Sequence, residues 1–321
     1  MNILITGVGG FIGSRLALRL ISEGSNIYGI DNLNDYYDVN LKNYRLNHIK
    51  KYNNFTFQKV DIANSLKFNK FMKNKRFDVI FHLAAQAGVR YSLINPRVYT
   101  KANIDGFLEV LEYCRKNPKV KLVYASSSSV YGGNKKIPFS VHDDVSSPVS
   151  LYAATKRSNE LMAESYSSLF SLNIIGLRFF TVYGPWGRPD MAIWKFTDSI
   201  LKNKTISIFN KGNLKRDFTY IDDIVTGIKS TLLYEVNKKK KKHVIFNLGN
   251  NNPVTVNRTI NLLEKLLNKK AKKKYLPMQL GDVKKTYADI EITKKKLHYN
   301  PQTNLKLGLK NFVNWYKDYI K

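Results

Sequence analysis

Through the first 180 residues, short apolar runs alternate with amphipathic stretches, and few folds accommodate that alternation. Residues 3–6 (ILIT), 26–30 (NIYGI), 55–60 (FTFQKV), 77–84 (FDVIFHLA), 119–125 (KVKLVYA) and 172–179 (LNIIGLRF) read as strands. Helical periodicity falls between them, at about 10–23, 41–52, 65–74, 95–116 and 147–170. Several strand runs are apolar throughout, as in a parallel sheet covered by helices on both faces. The expectation is an α/β fold with a Rossmann-type, doubly wound parallel sheet. After Thr181 the alternation becomes irregular, which predicts a smaller C-terminal substrate-binding domain.

Ligands bind such a sheet at the carboxyl ends of its strands. The first strand is followed by TGVGGFIG, with Gly7, Gly10 and Gly13 three apart. Glycines there allow a tight turn, close approach of a pyrophosphate and tight helix–sheet packing, while the helix N-terminus offers amide donors. Asp31 ends the second strand about 20 residues on, where a carboxylate accepts ribose hydroxyls and repels a 2′-phosphate. NAD is therefore expected in preference to NADP. Asp61 follows the third strand as a candidate adenine contact, and the small residues of HLAAQAG (82–88) follow the fourth.

Tyr152 and Lys156 in LYAATKRS stand four apart, on one helix face. A free tyrosine is too weakly acidic to act as a base at neutral pH; a nearby ammonium and a positive nicotinamide ring both favour its phenolate. The pattern alone is common in a chain with 20 tyrosines and many lysines. What strengthens it is the SSSS run after the preceding strand, with Ser127 25 positions upstream of Tyr152.

These segments together, with DN (31–32), RFFTVYGPWGRP and RDFTYIDDI, resemble the extended short-chain dehydrogenase/reductases, in their NAD-dependent epimerase/dehydratase family. DNLNDYYDVNLKNYRL, AAQAGVRYSLINP and FFTVYGPWGRPDMA are most similar to the branch of UDP-glucuronate 4-epimerases. The resemblance implies Tyr152, Lys156 and Ser127 as catalytic residues. It implies a NAD site of Gly7, Gly10, Phe11, Ile12, Gly13, Asp31, Asn32, Asp61, Ile62, Leu83, Ala84 and Ala85, with Tyr152 and Lys156 beside the nicotinamide. The implied UDP-sugar site comprises Arg90, Ser128, Ser129, Thr181, Arg188, Phe209, Arg216, Gln279 and Asp282. In it Phe209 lies near the uracil, Arg216 binds the diphosphate, and Gln279 makes a neutral contact where many relatives have Arg. Dehydratases of the family have an acid pair after the catalytic hydroxyl, and the decarboxylating branch a Glu two positions on. Here those positions are Ser128 and Ser129, whose neutral donors suit a substrate carboxylate. Thr181 stands where the neutral-sugar 4-epimerases have Asn.

The expected domains are 1–180 with a returning segment at about 214–250 for NAD, and 181–213 with 251–321 for the nucleotide sugar. Helices 95–116 and 147–170 are expected to pair in a homodimer. Val110, Leu111 and Tyr113 would contribute from one helix, Leu161, Met162 and Tyr166 from the other. The net charge of +29 is mostly Lys, densest at 237–243 and 268–275, without the interleaved aromatics that base stacking needs. It reads as a solvated surface, so neither nucleic acid nor membrane is an expected partner. No apolar run approaches the roughly 20 residues of a membrane span, and the start shows no signal-peptide pattern. With its single cysteine, Cys114, this places the protein in the cytoplasm. The five histidines have no ligand spacing, so no metal is expected. The alternatives are a 4-epimerase of neutral UDP-hexoses or N-acetylhexosamines, a UDP-glucuronate decarboxylase, and a non-catalytic NAD-binding sensor. The intact Tyr152, Lys156 and Ser127 argue against the sensor.

Overall fold

A computed structural model describes residues 1–236, 243–278 and 283–321. Seven strands form one parallel sheet: β1 (Asn2–Thr6), β2 (Asn26–Asp31), β3 (Phe55–Lys59), β4 (Val79–His82), β5 (Lys121–Ser127), β6 (Asn173–Phe179) and β7 (His243–Leu248). Their spatial order is β7-β6-β5-β4-β1-β2-β3. The chain runs outward from β1 to β3, then returns to β4 on the other side of β1. That reversal opens a crevice at the carboxyl ends of β1 and β4.

Successive strand residues point to opposite faces, and β1 fills both. Ile3 and Ile5 pack with Leu16, Ala17 and Leu20 of α1 (Phe11–Ser22). Leu4 packs on the other face with Phe107, Val110 and Leu111 of the helix Gly106–Lys116. All of these side chains are essentially inaccessible to water.

Three differences from the sequence reading bear on the site. First, β5 runs on to Ser127, so two of the four serines belong to the strand. Ser126 Oγ donates to Glu160 Oε1 at 2.7 Å, and Glu160 holds Arg178 of β6 through two bonds of 2.8 and 2.9 Å. Burial alone would raise the Glu160 carboxyl; the bonds from Arg178 and Ser126 outweigh it and hold the group below its ordinary range. Second, the stretch expected as one helix over 95–116 is interrupted. Pro96–Tyr99 passes through a π-helical turn, Thr100–Asp105, before Gly106–Lys116 begins. Third, the alternation does not close at residue 179, because β7 adds in register beside β6, with Phe246 opposite Leu177.

One expectation is overturned. Val110, Leu111 and Tyr113 are buried against the sheet within the subunit and cannot face a partner. The apolar period of Gly106–Lys116 is spent on the chain's own core. On the neighbouring helix α5 (Leu151–Phe170), Leu161 is 55% exposed, while Met162 and Tyr166 are partly buried.

Candidate active site

The glycine turn after β1 is shaped by steric necessity. Gly7 has φ +73°, and a Cβ there would come within 2.7 Å of the Ala84 Cα. A Cβ on Gly13 would strike the Gly7 carbonyl. Any larger residue at either position would push α1 away from the strand ends and remove the seat at its N-terminus.

Asp31 closes one side of that seat. Its Oδ2 accepts from Gly9 N at 3.0 Å and its Oδ1 from Leu33 N at 2.8 Å. Each carboxylate oxygen retains a further lone pair for a ribose hydroxyl. Asp61 is fixed by Ala63 N at 2.9 Å and by the Asn32 amide at 3.4 Å.

From this turn a cavity of about 410 Å3 runs along the strand ends to Tyr152. Every residue expected at the cofactor lines it: Gly7, Gly10, Phe11, Ile12, Gly13, Asp31, Asn32, Asp61, Ile62, Leu83, Ala84, Ala85, Tyr152 and Lys156. Ser127, Ser128, Ser129, Thr181 and Arg188 line its far end. The other expected sugar-nucleotide residues stand elsewhere. Arg90 is exposed and does not line the cavity; its guanidinium lies 5.3 Å from the centre of the Phe209 ring. Arg216 belongs to the short strand Lys215–Arg216 and also lies outside the cavity lining. Gln279 and Asp282 lie outside the described residues.

The catalytic end is built from three elements. Ser127 ends β5 and accepts from Ser129 N at 3.1 Å, capping the short helical turn Ser128–Tyr131. Ser150 caps α5 by accepting from Ala153 N at 3.1 Å, which sets Tyr152 and Lys156 in its first turns. Lys156 Nζ donates to the Ala125 carbonyl at 2.8 Å, and burial pulls its ammonium down to about 8. Burial pushes the Tyr152 phenol up, while the Ser127 hydroxyl bond and the Arg188 charge pull against it. The net direction is upward.

Several residues of the site carry no signature that the sequence reading could use. Asn103, in the π-helical turn, grips the backbone of Gln86 from both sides, at 2.8 and 3.1 Å. Its own carbonyl accepts from the Asn159 amide at 2.6 Å. Lys42, on α2 (Val39–Ile49), lines the cavity beside Asp31 and donates to both Asn34 oxygens at 2.7 Å. Arg45, one turn along, is fully buried and bonds the carbonyls of Gly9, Trp186 and Gly187. It thereby ties the glycine turn to the segment that carries Arg188. Two buried cations on a mostly polar helix have no apolar period to betray them; the DYYD run before them was the available hint.

Known proteins are similar to this chain along nearly its whole length. The chain is 47% identical over 334 residues to the protein CapI of Staphylococcus aureus, covering 100% of both. It is 46% identical over 329 residues to UDP-glucuronate 4-epimerase 5 of Arabidopsis thaliana, covering 98% of this chain and 75% of that one. Its fold is similar to the crystal structure of UDP-glucuronic acid 4-epimerase from Bacillus cereus in complex with UDP-glucuronic acid and NAD. That likeness has a TM-score of 0.91 and 35% identity, over 99% of this chain and 100% of the other. The pattern of one family, the NAD dependent epimerase/dehydratases, spans residues 3–249, from β1 through β7. It takes in the glycine turn, the serine run and the Tyr152 helix in a single match, and the chain belongs to that family.

Proposed function

We propose that the protein interconverts UDP-glucuronate and UDP-galacturonate by epimerisation at C4, using NAD. The observation that carries this reading is the composition of the cavity's far end. With Tyr152, the cavity is lined there by Ser128, Ser129, Thr181 and Arg188, which carry three hydroxyls and a guanidinium. Neutral donors and a cation suit a sugar that bears a carboxylate. The similar proteins named as UDP-glucuronate 4-epimerases support the same substrate.

The seat of Gly7, Gly13 and Asp31 would hold NAD, which would supply reversible hydride acceptance at the sugar's C4. The chain's own residues handle the proton and the pose. Tyr152 accepts the C4 hydroxyl proton and later returns it. Ser127 hydrogen-bonds both that oxygen and the phenol. Lys156, fixed on the Ala125 carbonyl, keeps positive charge beneath the site. Ser128, Ser129, Thr181 and Arg188 hold the carboxylate. Arg90 and Phe209 pair at the uridine end, and Arg216 takes the diphosphate, with Gln279 and Asp282 as further contacts. In this reading residues 1–180 with about 214–250 carry NAD, and 181–213 with 251–321 carry most of the nucleotide-sugar contacts. The protein acts in the cytoplasm; its lone Cys114 is buried, with its thiol pushed up to about 12 and so unreactive.

The test is to incubate the protein with UDP-glucuronate and follow the sugar by proton NMR. Appearance of galacturonate supports the reading. Conversion of UDP-glucose to UDP-galactose with none of UDP-glucuronate would favour a neutral-sugar epimerase instead.

Asp31 gives a second expected result. Asp31→Ala removes an ionic acceptor from the ribose and frees the Gly9 and Leu33 amides. Charge-assisted hydrogen bonds of this kind predict a loss of about 10–100-fold in NAD affinity. NADP affinity should rise or hold, because the repulsion is gone. Calorimetric titration of the unmodified protein with both cofactors is the control, and equal affinities would end this view of Asp31.

The assembly we propose is a homodimer joined through α5 and the helix Gly106–Lys116, now with different residues. Leu108, Leu161, Leu169 and Phe170 are exposed there, in place of the buried Val110, Leu111 and Tyr113. Light scattering at micromolar concentration should give twice the chain mass; a monomer would rule the dimer out.

A further inference from the structure

Arg188 does not stand alone. Its Nη2 donates to Asp190 Oδ2 at 3.1 Å and lies 3.4 Å from Met191 Sδ. The same Asp190 oxygen accepts the Tyr36 hydroxyl at 3.2 Å. Tyr36 belongs to the loop between β2 and α2, which begins at Asn32, directly after Asp31. The tyrosine is held in place: its ring packs 4.8 Å from that of Tyr91, and a Cβ on Gly88 would strike its hydroxyl. The other oxygen of Asp190, Oδ1, is buried and has no partner among the described residues. A carboxylate with one oxygen buried and unsatisfied costs free energy. Asp190 therefore makes a poor stabilising element, and its geometry is better explained by what it does to Arg188.

We propose that Asp190 is a positioning residue of the epimerisation. It holds Arg188 by one terminal nitrogen, leaving the other guanidinium donors for the substrate's carboxylate, and Tyr36 ties that pose to the dinucleotide loop. The proposal rests on the uronate reading above.

A guanidinium offers five N–H donors in a rigid fork, so one carboxylate can anchor it while a second is bound. An unanchored Arg side chain must be ordered by the substrate at each encounter, which weakens binding. Asp190 has a second effect, on charge. The groups facing the Tyr152 phenol are Ser127 at the end of β5, Lys156 on its own helix, the Tyr99 ring at 6.1 Å, and the Arg188–Asp190 pair. Arg188 pulls the phenol's pKa down and Asp190 pushes it up. Removing the negative charge should thus lower the pKa of Tyr152. The limb on which turnover rises with pH should move to lower pH.

The experiment uses three variants of the NAD-loaded protein. Binding of UDP-glucuronate and of UDP alone is measured by calorimetry, and kcat by NMR across pH. Asp190→Ala should weaken UDP-glucuronate about tenfold or more, the worth of one charge-assisted contact, and leave UDP unchanged. Asp190→Asn keeps an acceptor for Arg188. It should recover most of that affinity while its pH limb still moves to lower pH. Tyr36→Phe should weaken UDP-glucuronate in the same direction but less. Equal weakening of UDP and UDP-glucuronate would mean general damage to the cavity and would overturn the proposal. So would an Asp190→Ala protein with unchanged affinity, or an Asp190→Asn protein with an unmoved pH limb. If the unmodified protein does not turn over UDP-glucuronate, the uronate reading fails; the two calorimetric affinities still decide whether Asp190 positions Arg188.

Discussion

Tyr152→Phe is expected to cut turnover by a factor of about 10²–10⁴, the usual worth of a positioned acid–base group. NAD should remain bound. The phenol is one oxygen among many groups along the cavity, whereas Gly7, Gly13 and Asp31 shape the dinucleotide seat from the opposite end. The other two residues of the proposed proton path are committed elsewhere. Lys156 Nζ is turned to the Ala125 carbonyl, and Ser127 is occupied in capping the turn that follows it. Measuring epimerisation by NMR and cofactor content by spectroscopy separates the two effects. Near-normal turnover in the variant would remove Tyr152 from the proton path. Loss of cofactor together with activity would instead assign the phenol to binding.

The sheet was legible in the sequence because its strands are local runs: ILIT and VIFH are apolar on both faces, and only a doubly covered sheet uses such strands. The cofactor end was legible for a similar reason, since Gly7, Gly10 and Gly13 act through backbone shape, Asp31 through its carboxylate, and all sit at fixed distances from strand ends. What escaped was set by contacts between distant segments. β7 pairs with β6 across a gap of more than 60 residues, so no local period announces it. Arg45 meets Trp186 and Gly187, and Asp190 meets Tyr36; both pairs are separated by about 150 positions. The dimer surface was misread at Val110 and Leu111 because an apolar period says only that a face is covered. Whether a sheet or a second subunit covers it depends on the tertiary fold. The serine run shows both sides of this. Four identical side chains in sequence have three different roles: Ser126 holds Glu160, Ser127 caps the turn and reaches Tyr152, and Ser128 and Ser129 open on the cavity.

Those last two serines, with Thr181, carry the other large expected effect, a change of product. Oxidation at C4 turns the uronate into a β-keto acid. Such an acid loses CO2 when the bond to its carboxylate lies parallel to the carbonyl π-orbitals. The C–C bond electrons then pass to the ketone oxygen, and the enolate takes up a proton to leave a 4-keto pentose. Epimerisation demands that the ketone turn over in the site without passing through that alignment. Hydroxyls at Ser128, Ser129 and Thr181, acting with Arg188, can hold the carboxylate off it. Removing them leaves Tyr152, Ser127 and Lys156 in place, so the ketone should still form. In Thr181→Ala and in the double variant Ser128→Ala/Ser129→Ala, part of the sugar should therefore appear as a 4-keto pentose or, after reduction, as a UDP-pentose. Any ketone that escapes unreduced should leave the protein with reduced cofactor, visible by its absorbance. The loss of one such donor is worth about 10²–10³ in rate where it acts on the transition state. A fall in galacturonate of that size, with pentose in its place, would assign these hydroxyls to product control. Slower epimerisation without pentose, keto sugar or reduced cofactor would confine them to binding. Control of the carboxylate would then rest on Arg188, which among the described residues is the one cation lining that end of the cavity apart from Lys156.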